Sequence, residues 1–379
     1  MMTDSDSLAL AKDLIRFPSV TPHDFGCQAM LATRLEKLGF VVENLRFGEV
    51  DNLWARRGNV EPLFVFCGHT DVVPPGPLEN WTYPPFEPTV AHGLLYGRGA
   101  SDMKSNIAAM VVACEKFLAE FPNHPGSIAF LITSDEEGPA LNGVRKVMEL
   151  FSSRGEQFTW CLVGEPSSNK RVGDIIKIGR RGSLSGKIKV IGKQGHIAYP
   201  EIADNPIHRA LPVFLALCRE VWDNGNDKFP PTSFQFSNIH AGVGVGNVIP
   251  EFLEAMFNFR YSPQVTEQEL KQRVCAILDS HQLHYELSWT LSGLPFLTED
   301  GELLEATRAA ILAVNGLEPE LSTIGGTSDA RFIAPTGCKV LELGVCNHTI
   351  HQIDESISLQ DLEELTEIYR RILLGLLGK

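Results

Sequence analysis

One stretch, Gly97 to Asn106 (GRGASDMKSN), sets a single carboxylate, Asp102, in a glycine-bracketed turn just before an apolar helical run. Four other segments end strand-like runs on metal-binding residue types: His69 in FVFCGHTD, Glu136 and Glu137 in IAFLITSDEEG, Glu165 in WCLVGEP and His351 in NHTIHQID. Imidazole and carboxylate without thiolate suit zinc in a hydrolytic site better than structural zinc. Two divalent ions about 3.5–4 Å apart can acidify a shared water and hold the carbonyl it attacks. Such a pair needs one bridging carboxylate and two terminal ligands per ion. Asp102 is the expected bridge, with His69 and Glu165 on one ion and Glu137 on the other. His348 and His351 are equally spaced to complete the second set.

Asp71, two residues after His69, is positioned to accept the free ring N–H of that histidine and fix its tautomer. A metal-bound carboxylate is a poor base, so hydrolysis wants a free one beside the water. Neighbouring residues of a strand face opposite sides, and both reach one cavity only where the strand has ended. Gly138-Pro139 marks that end, which leaves Glu137 to bind metal and Glu136 to move the proton.

Strands and helices alternate around these residues. Residues 26–38 have helical spacing and stop at Gly39, 40–56 have β character, and Leu63 to Cys67 suits a strand buried on both faces. Val72 to Pro88, rich in proline and aromatics, is a loop long enough to be functional. Ser105 to Phe121 and 141–151 are expected helices, Ser127 to Thr133 and Trp160 to Val163 strands. The pattern predicts a mixed, largely parallel sheet with helices on both faces, whose ligands gather at the carboxyl ends of the strands. From about Gly182 the texture changes to alternating strands (SLSGKIKVIG, EFLEAMFNFR, LHYELSWTL) with helices at Ile207 to Trp222 and Glu267 to Ser280. After Pro295 come a helix (302–314), a glycine-rich loop, a strand (Lys339 to Leu343) and a long helix (359–377). The expectation is one discontinuous α/β domain, residues 1–181 and 295–379, with a two-layer α+β domain inserted at 182–294.

The formal charge of −14, from 33 basic and 47 acidic residues, speaks against a nucleic-acid partner, because phosphate binding needs a basic face. An anionic small substrate would need arginines gathered at its site. No apolar run reaches the length of a membrane span, and MMTDSDSL has acidic residues where a signal peptide is basic, so the cytoplasm is expected. The eight cysteines are scattered without a CxxC pair, in keeping with a reducing compartment.

GHTDVVPPG, YGRGASDMKSN, TSDEEG, VGEPSS, GRRGSLSG, GHIAYP, GNVIP, GGTSDARF and NHTIHQIDE, in that order, resemble the M20 family of two-zinc metallopeptidases and amidohydrolases almost end to end. The resemblance implies two zinc ions on His69, Asp102, Glu137, Glu165 and His351, with Glu136 as general base. It thereby selects His351 over His348. Cobalt or manganese would be tolerated by the same ligand types. It also implies that the inserted domain is a dimerisation lid, whose His196 reaches the partner's site and polarises the scissile carbonyl, with Asn247 nearby. Arg180 and Arg260 resemble the family's carboxylate-binding arginines, and Ser183, Tyr199, Gly326, Thr327 and Asn347 fall in substrate-contacting segments. A cis peptide at Asp102-Met103 is implied as well. The expected activity is amide hydrolysis on a small anionic substrate with three carboxylates, which favours bidentate arginines. A sister amidohydrolase or carboxypeptidase is the nearest alternative. A non-catalytic binding protein on the same fold would have no need of a free Glu136.

Overall fold

Apolar runs of four to seven residues build the centre of the first sheet, and their unbroken burial shows that both its faces are covered. The structure, a computed structural model, describes residues 5–378, so part of the acidic start lies outside the described residues. Two compact units divide the chain: Met1–Gly179 with Leu297–Ser322 and Ser328–Lys379, and Arg180–Phe296 with Thr323–Thr327.

In the first unit an eight-stranded sheet runs in the order Val41–Phe47, Val50–Arg57, Ser127–Thr133, Leu63–His69, Trp160–Val163, Lys339–Glu342, Ile175–Lys177, Glu320–Ser322. The central four strands are mutually parallel, and the first two form an antiparallel hairpin on one side. Leu63–His69 is buried at every position, as a strand covered on both faces must be. Leu53 and Ala55 turn to the main core, while Trp54 between them packs edge-on against Phe151 of helix Val144–Arg154, 4.8 Å between centroids. Phe66 meets Tyr369 of helix Leu359–Leu377 at 5.6 Å, and that helix packs on Ser105–Glu120. Each such fully buried side chain contributes about 1.5–3 kcal/mol.

Helix Val144–Arg154 begins later than residue 141 because Asp135 accepts the amides of Ala140 and Asn142 at 3.3 and 2.9 Å and holds them in a turn. Sequence periodicity did not mark helix Asp6–Ile15, which packs against Ser105–Glu120.

The second unit is a four-stranded antiparallel sheet, Ser233–Ala241, Phe252–Tyr261, Gly182–Ile191, Tyr285–Gly293, with helices Pro206–Arg219 and Glu267–Ser280 completing its core. Thr266 and Glu269 form a capping box that starts the second helix. The first helix ends before Trp222 because Arg273 takes the carbonyls of Val221 and Trp222 at 2.8 and 2.6 Å. Thr323–Thr327 clusters with this unit, although the sequence reading assigned all of 295–379 to the other. Arg180 supplies the reason: its guanidinium donates to the carbonyls of Ile324 and Gly326, both at 3.4 Å.

Among the described residues, no helix is long and apolar enough to cross a membrane.

Candidate metal centre and active site

Parallel strand register brings the predicted ligands to one edge of the first sheet. His69 pairs with Thr133, three residues before Glu136, and Cys67 pairs with Val163, which puts Glu165 level with His69. Glu342 pairs with Val163, and the chain after it leads to His351. Asp102 enters from a turn before helix Ser105–Glu120 and has non-helical angles, φ −122° and ψ 94°. The Asp102-Met103 peptide is cis. Gly99 must be glycine here: its φ is +82°, and a Cβ would stand 2.7 Å from Val72 Cγ1.

Asp102 divides its two oxygens between the two histidines. Oδ1 is 3.2 Å from His69 Nε2 and Oδ2 is 3.4 Å from His351 Nε2. Glu165 Oε1 lies 3.9 Å from His69 Nε2, and Glu137 Oε1 lies 2.9 Å from His351 Nε2. Two donors therefore stand on either side of one shared carboxylate, His69 and Glu165 on one and Glu137 and His351 on the other. His348, exposed and three residues from His351, has no contact with this group among the described residues.

His69 Nδ1 is 2.8 Å from the backbone carbonyl of Asp71, and a carbonyl can only accept, so Nδ1 carries a proton and Nε2 is the nitrogen turned toward Asp102 and Glu165. The Asp71 carboxylate was expected to accept that proton, but it stands 3.6 Å away. It instead accepts the amides of Glu136 at 3.3 Å and Glu137 at 3.1 Å, and so fixes the turn that carries both glutamates. Burial pushes its carboxyl up to about 6, against the lowering influence of His69 and the Glu137 amide.

The electrostatics ask for added positive charge. Burial raises Glu165 well above the usual carboxylate range, and neighbouring Asp102 and Glu136 raise it further. Glu136 is raised likewise, by burial first and by Asp329 next. Burial acts against the charge of Asp102 too, but the hydrogen bonds from His351 and His69 hold it below its ordinary value. His351 is pushed up to about 10 by Asp102 and Glu137, and in His69 the surrounding carboxylates outweigh the effect of burial. Glu165 Oε1 is buried without a hydrogen-bond partner among the described residues. An orphaned oxygen, crowded carboxylates and inward imidazole nitrogens all fit divalent cations bound by N/O donors. The sets His69, Asp102, Glu137 and His69, Glu136, Glu165 each bring their ligand atoms within 4.8 Å of one another. Glu136 thus lies beside the candidate ligands, within reach of anything they hold.

Two groups that the sequence reading did not single out support the site. Glu355, only 1% exposed, accepts the amides of Gly99, Ser101 and Asp102. Asp329, buried beside Arg331, is held up near 7 by burial, with Arg331 opposing the shift. Both stood within recognised segments, yet an acidic residue without a local pattern looks the same in sequence whether it is buried or solvated.

In the second unit the predicted substrate residues form two groups. Ser183 pairs with Arg260 across adjacent strands, and Arg180 holds the Gly326 segment beside Thr327. Gly325 has φ +121°, and a Cβ there would lie 2.5 Å from the Arg180 guanidinium. His196 pairs with Val248, next to Asn247, whose carbonyl accepts the Ile197 amide at 3.1 Å. Its ring is 5.6 Å from that of Tyr199. His196 Nδ1 accepts the Ala198 amide at 3.1 Å, so the neutral ring carries its proton on the exposed Nε2. Asn347 belongs to the first unit, where its amide donates to Ser168 O at 3.1 Å.

Some relatives share much of the sequence and others share the fold. A profile of peptidase family M20/M25/M40 matches residues 65–375. The chain is 62% identical over 378 residues to a succinyl-diaminopimelate desuccinylase of Acinetobacter baumannii (strain ACICU), covering 100% of both. To the Thioalkalivibrio sulfidiphilus protein of the same name it is 61% identical, over 98% of this chain and 99% of that one. An M20 family metallo-carboxypeptidase from Sulfolobus solfataricus superimposes with a TM-score of 0.81 at 17% identity, over 97% of this chain and 98% of that one. A dinuclear metal-binding M20 peptidase from Bacillus subtilis does so with a TM-score of 0.73 at 16% identity, over 98% of each chain. The mixed, largely parallel α/β fold read from strand and helix spacing is the fold these structures share, and the chain is a member of peptidase family M20/M25/M40.

Proposed function

We propose that the protein hydrolyses the amide of N-succinyl-L,L-2,6-diaminopimelate to succinate and L,L-2,6-diaminopimelate, a step in diaminopimelate and lysine synthesis. The observation that carries the chemistry is the division of the Asp102 oxygens between His69 and His351, each with its own glutamate. Substrate identity rests on the full-length identity to proteins named succinyl-diaminopimelate desuccinylase.

His69 and Glu165 would hold one zinc ion, Glu137 and His351 a second, with Asp102 between them; cobalt or manganese suits the same donors. Bound there, the ions supply Lewis acidity, which brings water toward ionisation near neutral pH and polarises an amide carbonyl. Glu136 takes the proton of the attacking water and returns it to the departing nitrogen. Asp71 orients Glu136 through its amide. His196, with its proton on Nε2, donates to the oxygen that gains charge. Arg180 and Arg260, with Ser183, Tyr199, Asn247, Gly326, Thr327 and Asn347, bind the substrate, whose three carboxylates call for arginine in a chain of net charge −14.

The second unit, taken as residues 182–294 with its flanks, serves as lid and dimerisation domain of a cytoplasmic homodimer. Supporting this are the exposed Leu211 and Leu215 on one helix and the open edge strand Ser233–Ala241, which exposes Ile239. A related amidohydrolase acting on acetylated substrates is the second reading. Product release from succinylated and acetylated diaminopimelate separates the two, before and after chelation and with zinc restored. Turnover of the succinyl compound, lost with chelator and regained with zinc, is the expected result. Preference for the acetyl compound, or full activity in metal-free protein, overturns the reading.

A further inference from the structure

Glu355 closes the segment that carries His351, and its side chain reaches the turn that carries Asp102. Oε1 accepts the amides of Ser101 at 2.8 Å and Asp102 at 2.9 Å. Oε2 accepts the Gly99 amide at 2.9 Å and Arg98 Nη1 at 2.8 Å. The Glu355 carbonyl takes a fourth amide, that of Gly97, at 3.0 Å. Arg98, 2% exposed, also donates to Gln352 O at 3.1 Å and lies over the Trp81 ring, 5.1 Å from its centroid. One carboxylate thus binds together two segments separated by 253 positions, each bearing a candidate ligand.

The two histidines differ in how they are held. His69 stands on a fully buried strand, and its ring is oriented by the Asp71 carbonyl. His351 is half exposed at 49%, and the contacts of its ring are to Glu137 and Asp102 themselves. The placement of His351 relative to Asp102 therefore falls to its chain, which Glu355 and Arg98 tie down at Glu355 and Gln352.

We propose that Glu355 is a positioning residue that sets the spacing of Asp102 and His351, and through it the affinity for the second ion, the one served by Glu137 and His351. This rests on the two-ion reading above. A carboxylate accepts all four side-chain hydrogen bonds, whereas a neutral amide in its place turns an NH₂ group toward N–H donors. The ion served by His69 and Glu165 keeps its terminal ligands on the strand edge and should be little affected.

The test is stepwise zinc titration by calorimetry on the full-length metal-free protein, wild type, Glu355→Gln and Arg98→Met, with thermal unfolding of each metal-free form. Cobalt(II) absorption reports the geometry of each loaded site independently of turnover. In Glu355→Gln the second affinity should fall about 10–100-fold and the first by less than about threefold, the usual range for groups that orient ligands. The cobalt spectrum of the second ion should shift while that of the first does not. Equal losses at both steps, or unchanged affinities in a folded variant, overturn the proposal and leave Glu355 a brace of the fold. If Glu355→Gln does not fold, Arg98→Met decides on the same criteria, because it leaves the three amide bonds in place and removes only the guanidinium. Failure of the wild-type chain to take up two ions tells against the two-ion reading itself and is seen before any variant is compared.

Discussion

Substitution of Asp71 separates two accounts of what this carboxylate does. Its oxygens accept the amides of Glu136 and Glu137 at 3.3 and 3.1 Å, while the His69 ring is oriented by the Asp71 backbone, which a side-chain change leaves in place. Asp71→Asn keeps one accepting oxygen and turns an NH₂ toward the other amide. A hydrogen bond to a charged group contributes about 1.5–3 kcal/mol, so losing one corresponds to roughly a 10- to 100-fold effect if it falls on the transition state. Asp71→Ala loses both, and about 10²–10⁴-fold is the corresponding range. The assay is succinate release at saturating zinc, with metal content and kcat and KM determined separately. We expect kcat to fall in the order wild type, Asn, Ala, with the zinc served by His69 retained and KM little changed. Loss of that zinc in Asp71→Asn would refute the reasoning, since it would mean that the carboxylate acts through the imidazole; unchanged kcat in Asp71→Ala would do so equally.

Glu136→Ala should keep its metals and lose turnover by about 10²–10⁴-fold, the usual contribution of a general base; metal analysis beside succinate release checks both halves. Mixing Glu136→Ala chains with His196→Ala chains and allowing subunit exchange should restore activity, because in each heterodimer one site carries both lesions and the other neither. Confirmed exchange without recovered activity places His196 within its own chain's chemistry or outside the reaction. Asp223, in the second unit and outside the candidate ligand set, provides a pH test. Burial opposes its charge, but hydrogen bonds from Thr232, Gly225 and Ser262 hold its carboxyl below the ordinary 3.8. The stabilisation is therefore full above pH 3.8 and lost as pH falls through the lower folded value. Asp223→Asn should cost about 1–2 kcal/mol at pH 7, allowing for partial exposure, and the gap from wild type should close in acid; thermal or urea unfolding across pH shows whether it does.

The candidate ligands could be placed together from sequence because they follow strands whose apolar runs are unambiguous. Phe64 to Cys67, Ile128 to Ile132 and Trp160 to Val163 are buried on both faces, and parallel strands deliver their carboxyl ends to one edge. Hence His69, Glu136, Glu137 and Glu165 could be grouped before any coordinates. Helix Glu267–Ser280 was equally plain, since Thr266 and Glu269 cap it within three residues. What tertiary structure alone decided are contacts between segments with no local signal. The Asp71 carboxylate accepts amides 65 and 66 positions away rather than the ring two residues before it, because the strand register brings the Glu136 turn beside it. Arg180 draws residues 323–327 into the second unit by binding carbonyls 144 and 146 positions on. Glu355 reads in sequence as one more acidic residue after a histidine; only burial, with three backbone amides and an arginine converging on it, distinguishes it from a solvated surface carboxylate. Residue type and hydrophobic period are properties of neighbours along the chain, whereas the partner of a buried polar group depends on which distant backbone donors the packing leaves unsatisfied.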